Sequence, residues 1–516
     1  MKTSKFRDYA IPKLKRVAKY TAFATLGLSL PPVLTMLYFD EERKTNPYQI
    51  LKGLQRSVRL SKCGVELLYI YKWPYSKLTS SEKHSKAGEV VLKAFERNAG
   101  TYIKLGQSLA MMDVLLPQEF CDALHGLFER APRTEFYKVR KMIEEHYGQK
   151  LEDVFEYFEE KPISSASIAQ VHAAKLKSTG EKVAVKVQHP WLRETVEFDI
   201  ANVSFFIKLG SALFQNFHYQ WIADDMKANL PQELDFRIEA SNIREIDGLL
   251  NKKTRIRVPK PVYELSNERI LVMEFIEGFS VTDLNRMNRE GIDIAEVAKI
   301  LSNGFSKMIF EYGFVHADPH PGNIFLEKTK NGKFNVVLLD NGLYRRLSPQ
   351  IKHDYAMLWT GIISKNVGLI QKACESLGVG DQYKLFTAMI THQTYEQVME
   401  SKEKDIKRRI KGSKTKTEQK QLNSQMAILF REQILECLER MNRELILVFK
   451  INDYISSIDT KLGQPINNYY YVASYSMRAF INSESRGFWE KALMYFTLYR
   501  TLFLLKIYEL YLIVSG

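Results

Sequence analysis

A chain of 516 residues with 45% hydrophobic and 26% charged side chains has room for two or three domains and the usual means to bury a core. Its formal charge of +14 is concentrated: residues 1–19 carry seven Lys/Arg against Asp8, and residues 401–420 carry nine against three acids, so the remainder is nearly neutral and no broad basic face for nucleic acid is implied. Cys63, Cys121, Cys374 and Cys437 are too scattered for a Cys-x-x-Cys zinc site or a dense disulfide framework.

In chain order, residues 1–19 are basic and almost free of acids, the pattern of a mitochondrial targeting segment. Residues 20–39 contain no charged side chain, and as a helix they would be ~30 Å long, enough for an inner-membrane anchor that Pro31-Pro32 would kink. The bases before this stretch outweigh the balanced Glu41-Glu42-Arg43-Lys44 after it. That predicts an N-terminus in the matrix and a body facing the intermembrane space. Cleavage after residue 39 would instead leave a matrix protein. Residues 40–155 have apolar residues at three- and four-residue spacing and read as a helical extension. Residues 156–278 change character. KVAVKVQ alternates and is β-branched, and VPKPVYEL and RILVMEFIEG read as further short strands. Helical patterns return over 279–400. Residues 401–423 lack a core face and read as a mobile loop, and 424–516 form a C-terminal helical region. Within it, Arg500, Lys506 and Glu509 favour a buried or membrane-associated helix over a spanning one.

The chemistry is carried by residues in a fixed order. Lys186 ends the strand VAVK, where an ammonium can pair with nucleotide phosphates. LPQELDFRIEASN reads as a helix with Pro231 near its start. In it Asp235 and Glu239 share one face and Glu233 and Arg237 another. Any of the carboxylates can hold Lys186, and spacing does not choose between them. Glu274 ends the strand LVME before Gly278, a hinge whose backbone groups can read an adenine edge. In FVHADPHPGN, Asp318 follows His316 by two residues and precedes Asn323 by five, and VVLLD delivers Asp340 to Asn341-Gly342. A carboxylate to orient an attacking hydroxyl, plus an amide oxygen and a second carboxylate for Mg²⁺, is the set phosphoryl transfer requires. Asp318, Asn323 and Asp340 supply it. No Gly-x-Gly-x-x-Gly precedes Lys186. The loop there is ISSASIAQV, in which Ile163, Ser164, Ser165, Ala166, Ser167 and Val171 are the candidate phosphate-side residues, offering backbone N–H groups. Only about eight residues separate Asp340 from a helical pattern near Ser348, and no Ala-Pro-Glu follows, so little chain remains for a peptide platform.

These departures resemble the UbiB-like, aarF domain-containing family of atypical kinases. The family's K-x-G-Q signature is matched by Lys104-Leu105-Gly106-Gln107, its Ala-rich loop by Ser165-Ala166-Ser167, and its E-x-D motif by Glu233-Leu234-Asp235, while Glu239 falls where the helix-C glutamate belongs. The resemblance implies an α+β, atypical two-lobed protein-kinase-like fold with an N-terminal helical extension and a helical C-terminal region. It implies ATP or ADP with Mg²⁺ as cofactors and a lid carrying Lys104 and Gln107 over the active site. The implied function is an atypical kinase or ATPase acting on a small-molecule or lipid-linked substrate at a mitochondrial membrane, with no nucleic acid. The alternatives are a nucleotide-gated scaffold without turnover and a conventional serine/threonine kinase. Ala317 stands where protein kinases carry arginine, and Asn341 where they carry phenylalanine, so a switch based on phenylalanine packing does not transfer.

Overall fold

The computed structural model describes residues 47–72, 78–128 except 111 and 113–115, 132–214, 219–250, 253–400 except 330, 392 and 394, 433–483 except 435, 436, 438 and 439, and 487–515. The targeting segment and anchor expected at 1–39 and the loop expected at 401–423 lie outside the described residues. The chain forms two compact units, each described by itself: residues up to 235 with 267–272, and residues 236–266 with 273 onward.

The first unit begins with helices α1 (Pro47–Lys72), α2 (Ser80–Asn98), α3 (Thr101–Ala110), α4 (Gln118–Leu124) and α5 (Phe136–Tyr147). Helix α2 starts where the Thr79 side chain accepts the Glu82 N–H and the Glu82 carboxylate accepts the Thr79 N–H, a reciprocal cap. Its Ala87, Val91, Ala94 and Phe95 face inward at helical spacing. Four strands follow: β1 (Phe155–Phe158), β2 (Ser164–Ser165), β3 (Ala169–Leu176) and β4 (Lys182–Gln188). They join β6 (Ile270–Glu274), of which residues 270–272 belong to this unit, in a sheet ordered β1-β3-β4-β6 with β2 on β3. The alternation in KVAVKVQ predicts a half-buried strand, yet every residue after Lys182 is buried, Lys186 and Gln188 included. Helices α6 (Val196–Leu213) and α7 (Gln220–Glu233) complete the unit.

The second unit holds helix α8 (Phe236–Leu250), a sheet ordered β5-β10-β9-β7 and a two-stranded ribbon. The sheet strands are β5 (Ile256–Arg257), β7 (Gly278–Ser280), β9 (Ile324–Lys328) and β10 (Phe334–Leu338). The ribbon pairs β8 (Phe314–His316) with β11 (Tyr344–Arg346), Tyr344 opposite His316. Helices α9 (Leu284–Glu290), α10 (Ile294–Ser306), α11 (Pro349–Ser364), α12 (Val367–Ser376), α13 (Tyr383–Thr391), α14 (Arg443–Lys461), α15 (Tyr469–Ser483) and α16 (Phe488–Ser515) form its bulk. A π-helical turn at Lys307–Tyr312 ends at Gly313, whose φ of 63° favours glycine, and delivers the chain into β8. Ser348 caps α11 by accepting the Ile351 N–H, so the helix starts where its pattern predicts.

Two expectations need correction. LPQELDFRIEASN is not one helix: Pro231 lies near the end of α7, the chain breaks at Leu234-Asp235, and α8 starts afresh at Phe236. A helical proline lacks its own N–H and crowds the preceding turn, so the helix ends within three residues. VPKPVYEL forms only an isolated bridge at Pro261 and a short 3₁₀ turn, because Pro259 and Pro261 have no N–H to give a ladder. Helix α8 clusters with the second unit.

Candidate functional site

In the second unit the FVHADPHPGN and LLDNGLY segments are stitched together by hydrogen bonds of short sequence reach. His316 is buried on β8. Its Nε2 lies 2.8 Å from the Asp340 carbonyl oxygen, and its Nδ1 is 3.1 Å from the Asp318 amide. A carbonyl only accepts and an amide N–H only donates, so the imidazole is neutral with its proton on Nε2. One ring thus fixes the backbone of both Asp318 and Asp340. Asn323 is held through its backbone: its N–H donates to the His320 carbonyl, and its carbonyl accepts the Leu339 N–H, both at 2.8 Å. Asp340 Oδ1 accepts the Gly342 N–H at 3.0 Å.

Glu239, on the first turn of α8, is buried and accepts the Asn341 N–H at 3.3 Å. A Cβ added at Gly342 would stand 3.3 Å from Asp340 Oδ1 and 3.6 Å from Glu239 Oε2, so the glycine sits where two carboxylates converge. The nearby Tyr344 hydroxyl is pushed well above its ordinary pKa, first by burial and then by the charges of Asp340 and Glu239. Among the described residues no group of three or more His, Cys, Asp and Glu converges to hold a metal unaided. The Asp340 carboxylate and the Asn323 amide oxygen are the donor types Mg²⁺ takes when phosphates and water complete its shell. The structure therefore brings Asp318, Asn323, Asp340 and Glu239 into one bonded frame.

Asn341 stands where protein kinases carry phenylalanine. It is fully buried, donates from Nδ2 to the Leu338 carbonyl at 3.1 Å and accepts the Tyr344 hydroxyl at 3.0 Å. Its own carbonyl accepts from Asn242 of α8. A polar lock replaces the apolar packing a phenylalanine would make. Ala317 is buried too, its N–H donating to the Leu343 carbonyl at 2.9 Å.

In the first unit, Lys186 is buried on β4 directly across from Val171 of β3. The loop before it is a tight hairpin. Ile163 N–H donates to the Val171 carbonyl at 2.9 Å and Ala166 N–H to the Ala169 carbonyl at 2.8 Å, so these two amides are not available to a phosphate, contrary to expectation. Ser164 pairs with Val171 and Ser165 with Gln170, while Ser167 is buried. Among the described residues, none from 163 to 171 has a positive φ, which is why serine and alanine suffice where a flexible loop would demand glycine. Side chains that sequence reasoning missed anchor this hairpin. His189 Nε2 donates to the Ala166 carbonyl at 3.1 Å and its Nδ1 accepts from the Thr134 hydroxyl at 2.8 Å. Gln170 bonds both backbone groups of Thr134, and Ser165 Oγ donates to the Pro132 carbonyl. Burial holds the His172 and His189 imidazoles below the usual histidine range.

Lys104 Nζ on α3 lies 3.3 Å from Glu233, the last residue of α7. Gln107 Nε2 donates to the Leu127 carbonyl at 3.2 Å. Gly106 between them has a packing reason: a Cβ there would come within 2.1 Å of Leu127 and 2.9 Å of Phe95. Helix α3 is aimed by a buried polar frame that spacing alone did not reveal. Arg56 of α1 donates to both carboxylate oxygens of Asp199 of α6, at 2.7 and 2.6 Å, and to the Asn98 carbonyl, and it lies over the Tyr102 ring. Asp235 closes the break between α7 and α8, its N–H donating to the Gln232 carbonyl at 3.2 Å. Glu274 is half-buried and its carboxylate is already paired. Arg257 holds its carboxylate at 2.7 Å and its N–H donates to the Lys260 carbonyl, leaving only its carbonyl for the hinge role.

The family model of the ABC1 atypical kinase-like domain matches residues 126–374, which contain every motif of the catalytic set. AarF domain-containing kinase 1 of Drosophila melanogaster is 37% identical over 400 residues, 77% of this chain and 76% of that protein. The chain belongs to the ABC1/AarF family of atypical kinase-like proteins. AarF domain-containing protein kinase 1 of Gallus gallus is 33% identical over 84% of this chain and 83% of its own length. The Mus musculus protein of the same name is 36% identical over 74% and 71%. Membership carries the α+β kinase-like fold and, with it, nucleotide binding. Lys104 and Gln107 lie outside the family-model match, in the helical extension.

Proposed function

We propose that this ABC1/AarF protein is an atypical kinase or ATPase that binds Mg-nucleotide and acts on a small-molecule or lipid-linked acceptor, serving mitochondrial lipid and membrane homeostasis. The observation that carries the proposal is the frame in which His316 fixes both Asp318 and Asp340 while Asn323 is bonded to the strand end before Asp340. Asp318 orients the attacking hydroxyl and takes its proton. Asn323 and Asp340 would hold Mg²⁺, which when bound supplies charge neutralisation at the phosphoryl oxygens. Lys186 offers its ammonium to the nucleotide phosphates, and the Glu274 carbonyl accepts from the adenine edge. Lys104, paired to Glu233, and Gln107 serve as the lid. The choice of a small acceptor rests on the chain after Asp340. Residues 344–346 return at once into the ribbon with β8, and Ser348 already caps the next helix. The mitochondrial setting rests on residues 1–39.

Asp340→Asn should abolish the Mg-dependent part of the nucleotide thermal shift, whereas Asp318→Asn should keep it and lower single-turnover ATP consumption at least ~10²-fold. Equal loss of the thermal shift in both variants would remove the role assignment. A wild-type chain that shifts with nucleotide but never consumes it would make the protein a nucleotide-gated scaffold.

A further inference from the structure

Helix α16 packs one side against α15: Leu498 and Leu502 are buried with Ala473, Met477 and Ile481. The opposite side is as apolar as the packed one. Trp489, Leu493, Phe496, Phe503 and Ile507 recur at steps of three, four or seven residues and therefore lie along one line. They are 83%, 67%, 66%, 66% and 47% exposed. A helix apolar on two opposite sides, with only one of them covered, is not the pattern of a water-facing surface helix. Arg500 is the one charged residue on this line, while the Lys506 ammonium lies over the Tyr470 ring of α15. Glu490 projects about 100° away from Trp489, so no carboxylate lies on the line over residues 488–507.

We infer that this outer face of α16 seats the protein on an anionic lipid bilayer surface, lying in the headgroup region without crossing it. Three features choose lipid over a second helix. The line is built on Trp and Phe, which suit the boundary between headgroups and acyl chains, whereas helix seams favour Leu, Ile and Val. It is broad, because Tyr499 and Leu504 extend it on either side beyond the narrow seam a coiled coil uses. Its one charged member is cationic: Arg500 can lay its stem along the apolar surface while reaching lipid phosphates. No described helix is long and apolar enough to cross a membrane, so the face rests on the bilayer. The inference stands independently of nucleotide turnover.

The test places an environment-sensitive fluorophore on the full-length chain through Phe503→Cys. The four native cysteines are buried, so the new thiol is the reactive one. With phosphatidylcholine vesicles containing phosphatidylglycerol, the label's emission should shift to the blue and be quenched by nitroxide lipid. Pure phosphatidylcholine should give a much weaker response. A label at the exposed Glu160→Cys should stay in water. Adding Trp489→Glu and Phe496→Glu should weaken vesicle partitioning at residue 503 at least about tenfold, with the unfolding midpoint unchanged because these side chains touch no core. Arg500→Glu should erase the preference for the anionic lipid. A label at 503 that stays in water while the protein floats with vesicles would overturn the inference and put membrane contact elsewhere in the chain. So would a label already shielded without vesicles, or one whose shielding grows with protein concentration alone, which would mean that another segment or a second copy covers the face.

Discussion

The frame around Asp318 and Asp340 and the hairpin at residues 163–171 are held in opposite ways. In the first, His316 reaches two residues to Asp318 and 24 to Asp340, and Asp340 reaches two to Gly342. In the second, Thr134 reaches 55 residues to His189 and 36 to Gln170, and behind them Arg56 reaches 143 to Asp199. The core of the acidic centre is closed within two short peptides, and only the α8 bonds from Glu239 and Asn242 to Asn341 reach it across 102 and 99 residues. The hairpin and the Lys104 helix depend on buried polar bonds closed across most of the unit, each of which costs desolvation and must be satisfied in full.

The sharpest way to break this contrast is Arg56→Ala. It leaves the Asp199 carboxylate buried without its cation, and the loss should be about 3–5 kcal/mol in denaturant unfolding. Burial already pushes that carboxyl above its ordinary pKa even with Arg56 in place. A loss under about 1 kcal/mol would mean that the long-range frame is not what holds α1, α3 and α6 together. Gly106→Ala should cost about 1–3 kcal/mol, since the added methyl meets Leu127 and Phe95 in a packed interior. A stability equal to wild type would deny the close approach of α3. In the locally built region the loss should be smaller. Asn341→Ala removes one donor and one acceptor from a fully buried turn and should cost about 1–2 kcal/mol, with a weaker nucleotide thermal shift as Asp340 loosens.

The smallest effect is in pH, where groups in the two units act with opposite sign. His172 and His189 have folded pKa values below those of the unfolded chain, so the unfolded state takes up protons first. Their stabilising bonds are fully present above about pH 6.5 and are lost as pH falls. Asp459 of α14 is the reverse. Burial pushes its carboxyl up to about 6, so its ionisation penalty is complete above that pH and is relieved as pH falls toward about 4. Between pH 7 and 5, His189→Gln should flatten the acid-side loss, and Asp459→Asn should raise stability at pH 7 while erasing the opposing trend. Unfolding midpoints across that range for the two variants read both signs. A shared sign would dissolve the contrast.

The sequence by itself determined the order of the candidate site residues: Lys186 on a strand, Asp318 five residues before Asn323, Asp340 before a glycine turn, and a helix beginning after Ser348. These are local patterns, with a strand period, a turn residue or a cap visible within a few positions. The helical character of the described residues from 47 to 147 was legible for the same reason. The break between Glu233 and Phe236 was signalled by Pro231, whose position near the end of α7 the surrounding helical pattern concealed. Only the tertiary structure decided that Glu239 meets the Asn341 amide, that Glu274 is paired with Arg257, and that His189 rather than glycine shapes the hairpin at residues 163–171. It also decided why Gly106 must be glycine, because only packing against Leu127 and Phe95 makes a single methyl group too large. A contact closed across a hundred residues leaves no periodicity at either end, and a buried polar side chain looks like a surface one until its partners are in place.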